Sequence, residues 1–148
     1  LITLLAVLYS ADLLISIRKW KKRDTEVDTL DESTPFLPRS LRELPAYIVM
    51  CISAGVFEEI IYRGFMVTYF LPEYNFSVGL PILAVTAPAF LFSLAHYYQG
   101  WQAVLKIFLL SMLLGIIFLS SGSIWMVMII HFLIDLIGGI VAMRLLKD

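Results

Sequence analysis

Residues 124–146 read IWMVMIIHFLIDLIGGIVAMRLL, a run in which His131, Asp135 and Arg144 are the only ionisable side chains. A run of that length without a polar stripe has no face to offer water. It fits a membrane-spanning helix, which needs about 20 predominantly apolar residues to cross a hydrocarbon core ~30 Å thick. Working back toward the N-terminus, Ser120 to Ser123 reads as a tight turn, and Trp101 to Leu119 is a second apolar run. Gly100 separates it from a third, about Phe76 to Tyr98, which contains Pro81 and Pro88. These prolines are tolerable in a membrane helix whose neighbours satisfy the freed carbonyls. Pro72 to Asn75 reads as another turn, and Pro45, a favourable first helical position, opens a run to about Phe70. Leu1 to Ile17 is apolar again. The expectation is an all-α polytopic membrane helix bundle of about five transmembrane helices.

Composition agrees. The chain has 148 residues, 60% hydrophobic and 16% charged, against roughly 25% charged in soluble domains, too few to cover a water-facing surface. The net charge of −1 conceals an uneven spread, because seven of the eleven Lys and Arg lie between Arg18 and Arg42. Arg18, Lys19, Lys21, Lys22 and Arg23 beside a helix end mark a cytoplasmic flank, and Arg144 and Lys147 do the same at the other end. An odd number of spans satisfies both. The first run resembles a signal peptide in length, but its basic cluster follows the apolar stretch instead of preceding it, so it is expected to remain as a helix, with an upstream segment lost before Leu1. The expected division is a transmembrane helix at 1–17, a cytoplasmic basic and acidic loop at 18–44, and a helical core at 45–148. Nucleic acid is not an expected partner; the lipid bilayer is. Cys51, the single cysteine, reads as a small buried hydrophobe. Lys106 is expected to snorkel to the cytoplasmic surface, Trp20, Trp101 and Trp125 to anchor span ends, and Gly138 and Gly139 to permit close helix packing.

Against this background the ionisable residues inside the spans stand out. A charge at the bilayer centre costs from about 2.5 to more than 10 kcal/mol by different measures, and interhelical polar contacts return only ~0.6 kcal/mol each. Glu58, Glu59, Arg63, His96, His131 and Asp135 therefore read as a functional site. Glu59 and Arg63 stand four apart on one helix and can neutralise each other. Glu58 points about 100° away without such a partner and is suited to take a proton from water, although the two glutamates could exchange roles. Both histidines of the chain lie in apolar segments. His131 and Asp135 are again four apart, so the carboxylate could fix the imidazole tautomer or hold it charged.

No nucleophile turn is present, and Cys51 has no base in its local sequence, so covalent catalysis is unsupported. Two water-based readings remain. In one, Glu58 and His96 activate water and His131 stabilises a tetrahedral oxyanion. In the other, Glu58, His96 and His131, with or without Asp135, hold a zinc ion that acidifies its water. The soluble His-Glu-x-x-His motif is absent, so spacing lends the metal no direct support and no cofactor is firmly implied.

The three segments Glu58-Glu-Ile-Ile-Tyr-Arg63, Phe92-Ser-Leu-Ala-His96 and His131-Phe-Leu-Ile-Asp135 resemble, in order and residue type, the motifs of the CPBP (Abi) family of intramembrane proteases. This family includes type II CAAX prenyl proteases and bacteriocin-processing proteins. The resemblance covers about Ala46 to Leu146. It implies peptide-bond hydrolysis in a cavity between helices, with Glu58 and His96 activating water and His131 and position 135 forming the oxyanion site; Glu59 is counted with this catalytic set as the orienting partner of Arg63, and Arg63 and Phe92 are structural support. The prenyl proteases carry Asn where Asp135 stands, and an ionised Asp cannot donate to an oxyanion. Asp135 is then protonated, or supports a charged His131, or the site uses a metal; of the glutamate-type and metal-dependent mechanisms argued for the family, the glutamate type is favoured. The resemblance further implies a peptide or membrane-protein substrate and, for so short a chain, the bacterial cytoplasmic membrane.

A catalytically silent immunity or regulatory protein, binding a peptide in the same cavity, is the rival; the presence of every motif residue favours the enzyme. A small transporter fits less well, since no inverted repeat is visible. Simple threading places Glu58 near mid-membrane, His96 near the cytoplasmic end of its span and His131 toward the opposite face. A shared site therefore requires tilted or re-entrant helices around Pro81, Pro88 and Gly100.

Overall fold

The computed structural model describes residues 1–20, 36–71 and 79–145. The expected turn at Pro72–Asn75, most of the loop at 18–44, Lys147 and the side chains of Lys19, Trp20 and Pro81 lie outside the described residues. All regular structure among the described residues is helical, in five rods. Helix α1 spans Ile2–Trp20. Helix α2 spans Leu44–Glu59 and continues through a π-helical stretch, Ile60–Val67, into a last turn, Thr68–Phe70. Helix α3 spans Gly79–Ala95, a 3-10 turn follows at Tyr97–Gln99, and α4 (Trp101–Ser121) and α5 (Ile124–Leu145) complete the bundle.

Three rods are long and apolar enough to cross a membrane: Leu44–Phe70 with 27 residues, Trp101–Ser121 with 21 and Ile124–Leu145 with 22. The first and third rods contribute shorter apolar stretches, Ile2–Ile15 and Ile82–Ala95. The chain is an all-α membrane helix bundle, as its apolar runs predict.

Helix ends follow local chemistry. The Glu43 carboxylate before α2 accepts from the Arg39 N–H and from the Ser40 hydroxyl, both at 2.9 Å. The Arg39 bond first, and then the Ser40 bond, hold the Glu43 carboxyl below its ordinary range, because both favour the charged form. Pro45 sits in the first turn, where its missing N–H costs nothing. Helices α4 and α5 are joined through Gly122 in the left-handed region, φ +64°, whose N–H closes on the Phe118 carbonyl at 2.9 Å. The Ser123 hydroxyl then accepts from the Met126 N–H at 3.4 Å at the start of α5.

Helix α2 packs chiefly on α5, and α3 on α4, while the π-helical stretch touches α3, α4 and α5. Gly55 lets α2 approach the α5 backbone, since a Cβ there would meet the Met128 carbonyl oxygen at 3.1 Å and the Phe132 nitrogen at 3.2 Å. Leu5, Leu114, Ile117 and Val127 form an apolar core between α1, α4 and α5. Cys51 is fully buried, as read. Trp101 and Trp125 are exposed at the starts of α4 and α5, as anchoring residues would be. The Lys106 ammonium, on the exposed side of α4, pairs with Asp12 of α1 at 2.7 Å.

Candidate active site

The centre of the site is Glu59, the last α-helical residue of α2 and fully buried. Its Oε1 accepts from Arg63 Nη1 at 2.6 Å and from His131 Nδ1 at 2.7 Å. The Arg63 pairing is the one its spacing predicts; the His131 contact, 72 residues away in sequence, had no signal in the chain. Arg63, itself buried, donates through Nη2 to the Ser111 carbonyl (3.1 Å) and hydroxyl (2.8 Å) on α4, and its guanidinium lies 5.3 Å from the centre of the Phe92 ring. One ion pair thus connects α2, α3, α4 and α5. The π-helical turns that carry Arg63 begin immediately after Glu59, and such turns recur at functional sites.

Phe92 is buried between the two imidazoles, with ring centres 4.6 Å from His96 and 5.9 Å from His131, and meets Tyr62 edge-on at 4.9 Å. His96 stands just past the end of α3. Its Nδ1 lies 2.8 Å from the Phe92 carbonyl. A carbonyl can only accept, so Nδ1 carries the proton and neutral His96 keeps its lone pair on Nε2. The His96 amide instead bonds Ser93 at 3.1 Å, which tightens the backbone into the 3-10 turn. That exchange ends the helix at Ala95, short of the expected Tyr98.

His131 is held the same way, with Nδ1 donating to the Glu59 carboxylate. Its Nε2 faces Asp135 Oδ2 at 3.4 Å and Glu58 Oε2 at 3.7 Å. Both exceed the 2.7–3.2 Å of a good N–H···O bond, so an atom placed between them can bond to Nε2. The tautomer-fixing partner of His131 is therefore Glu59; Asp135, expected there from its spacing, sits at the opposite nitrogen. The buried carboxylate reaches Nδ1 first because α2 and α5 lie in close contact at Gly55.

Glu58, Phe92, His96, His131 and Asp135 all line one cavity of about 430 Å³, a volume suited to a small ligand or peptide segment. The depth conflict of simple threading is resolved by the short α3, whose end delivers His96 to the cavity, and by the contact of α2 with α5. Tyr9, Tyr47 and Met50 form further parts of the wall, and Phe36 and Leu37, just before α2, line it as well. Among the described residues no group of three His, Cys, Asp or Glu side chains could hold a metal ion, so Glu58, His96 and His131 are not gathered as a zinc shell in this geometry.

An acid and imidazole cluster in an internal cavity of a membrane helix bundle defines an integral membrane protein with a buried polar site. The family described as Type II CAAX prenyl endopeptidase Rce1-like matches residues 40–137, more than half of the chain, and the chain belongs to that family. Membership implies a protease acting on a peptide or protein substrate. No curated protein and no solved structure matches the chain.

Proposed function

We propose that the chain is an intramembrane endopeptidase in which Glu58 and His96 activate water and His131, balanced by Asp135, receives the oxyanion. The observation that carries this reading is the shared cavity lined by Glu58, His96, His131 and Asp135, with both Nδ1 atoms already committed to acceptors. His96 is left with an Nε2 lone pair to orient a water hydrogen. Glu58 takes the other proton, and the hydroxide adds to the scissile carbonyl carbon. The carbonyl oxygen becomes an oxyanion, to which Nε2–H of an imidazolium His131 donates. Protonated Glu58 then passes its proton to the departing amine as the C–N bond breaks. Asp135 acts here as counter-charge to His131, a role its 3.4 Å separation suits and one that needs no proton on the carboxylate.

Glu59, Arg63 and Phe92 hold these groups without touching substrate. The cavity admits a peptide segment or membrane-protein substrate, and residues 45–148 form the protease core. The cations at Arg18–Arg23 and at Arg144 and Lys147 support a cytoplasmic placement of the 18–44 loop and the C-terminus, and the short chain's resemblance to bacterial members of the family suits a bacterial cytoplasmic membrane.

The test is cleavage of a fluorescent peptide library by detergent-purified protein, beside Glu58→Ala and with or without a strong chelator. Wild-type cleavage that survives chelation and disappears in Glu58→Ala is the expected result. Cleavage abolished by chelation would replace this mechanism with a metal-dependent one, and no wild-type cleavage would favour a binding or immunity role.

A further inference from the structure

Two tyrosines from different helices reach consecutive backbone carbonyls of α5. The Tyr9 hydroxyl on α1 donates to the Ile134 carbonyl at 2.8 Å, and the Tyr47 hydroxyl on α2 donates to the Asp135 carbonyl at 2.9 Å. In an α-helix these carbonyls also accept from the amides four residues on, those of Gly138 and Gly139. Each carbonyl oxygen has a second lone pair, which the phenol occupies.

Gly139 makes the approach of Tyr47 possible. A Cβ at Gly139 would overlap the Cε1–Cζ–hydroxyl edge of Tyr47, whereas one at Gly138 would stand in ordinary contact, 3.4 Å from the Tyr9 hydroxyl. Gly139 thus leaves a slot for the Tyr47 phenol, with Gly138 beside the Tyr9 hydroxyl, a narrower role than general helix packing. The Ile134 carbonyl belongs to the peptide plane before the Asp135 Cα, and the Asp135 carbonyl to the plane after it. Holding both planes steadies the two backbone torsions of Asp135, and with them the Cα–Cβ bond from which its carboxylate reaches to 3.4 Å from His131 Nε2.

We propose that Tyr9 and Tyr47 are positioning residues that aim Asp135 at His131 by pinning both peptide planes of Asp135 beside Gly138 and Gly139. The inference rests on the proteolytic reading for its consequence in rate, and on geometry alone for its effect on His131. Substituting Phe for Tyr removes the hydroxyl and keeps the ring, so the slot stays filled.

Kinetics of Tyr9→Phe, Tyr47→Phe and the double variant, with Glu58→Gln as reference, should show kcat reduced about tenfold in each single variant and about 100-fold in the double, the scale of loss for small misplacement of catalytic groups. KM should stay within about twofold. Nitrogen-15 NMR of the two imidazoles supplies a readout independent of cleavage: the His131 Nε2 resonance should move in the Phe variants while that of His96 does not. Unfolding midpoints measured alongside separate this effect from general loosening. A His131 resonance unmoved in the folded variants overturns the inference whether or not the wild type cleaves. Wild-type kcat in the Phe variants, with Glu58→Gln inactive, also overturns it. Full cleavage by Glu58→Gln would instead defeat the proteolytic mechanism and leave the NMR result to judge the tyrosines.

Discussion

Glu58 and Glu59 are adjacent and chemically alike, yet they occupy opposite situations. Glu59 is sealed from solvent against Arg63 and His131, while Glu58 opens into the cavity. This division was legible from i, i+4 spacing, which gave Glu59 a cation and left Glu58 without one. Removing one member of a buried ion pair strands the other charge, at a typical cost of 3–5 kcal/mol. Glu59→Gln should lower stability by about that amount, measured by denaturant unfolding in detergent, and Arg63→Met with Glu59→Gln together should cost less than either single change. A single variant as stable as wild type would show that Glu59 carries no charge in the folded protein. The partners that local spacing could not reveal are those separated by long stretches of chain. Glu59 with His131, Arg63 with Ser111, and the two tyrosines with α5 depend on how rods meet, which no local pattern encodes.

At the scale of elements, the apolar runs marked all five rods, and the tight turn read at Ser120 to Ser123 falls at the junction of α4 and α5. Gly122 adopts φ +64°, a region that costs a residue with a Cβ about 1–2 kcal/mol. Gly122→Ala should lower the unfolding free energy by about that amount and leave the cavity unchanged, so cleavage measured well below the midpoint should persist. Two features were not legible. The stretch Ile60–Val67 has the composition of an ordinary α-helical segment, and its π-helical form accompanies the contacts that Arg63 makes with α3 and α4. The early end of α3 likewise follows from the His96 ring taking the Phe92 carbonyl, a competition between side chain and backbone that apolar periodicity does not register.

Over the whole molecule, large apolar side chains are exposed on every rod, among them Val7 on α1, Phe65 on the α2 continuation, Phe90 on α3, Leu109 on α4 and Ile129 on α5. Such a surface is compatible with lipid and not with water. The protein should stay in the membrane pellet through an alkaline carbonate wash and leave it only with detergent; release by carbonate alone would contradict a spanning bundle. Burial in this protein extends to charged groups, since Arg63 and Glu59 are among the largest fully buried side chains of the described residues. The pair holds α2 to α4 through Ser111, and the same Glu59 oxygen sets the proton position on His131. Assembly of the bundle and orientation of the imidazole are therefore one event. A chain that packs α2 against α4 and α5 in this way also fixes which nitrogen of His131 faces Glu59.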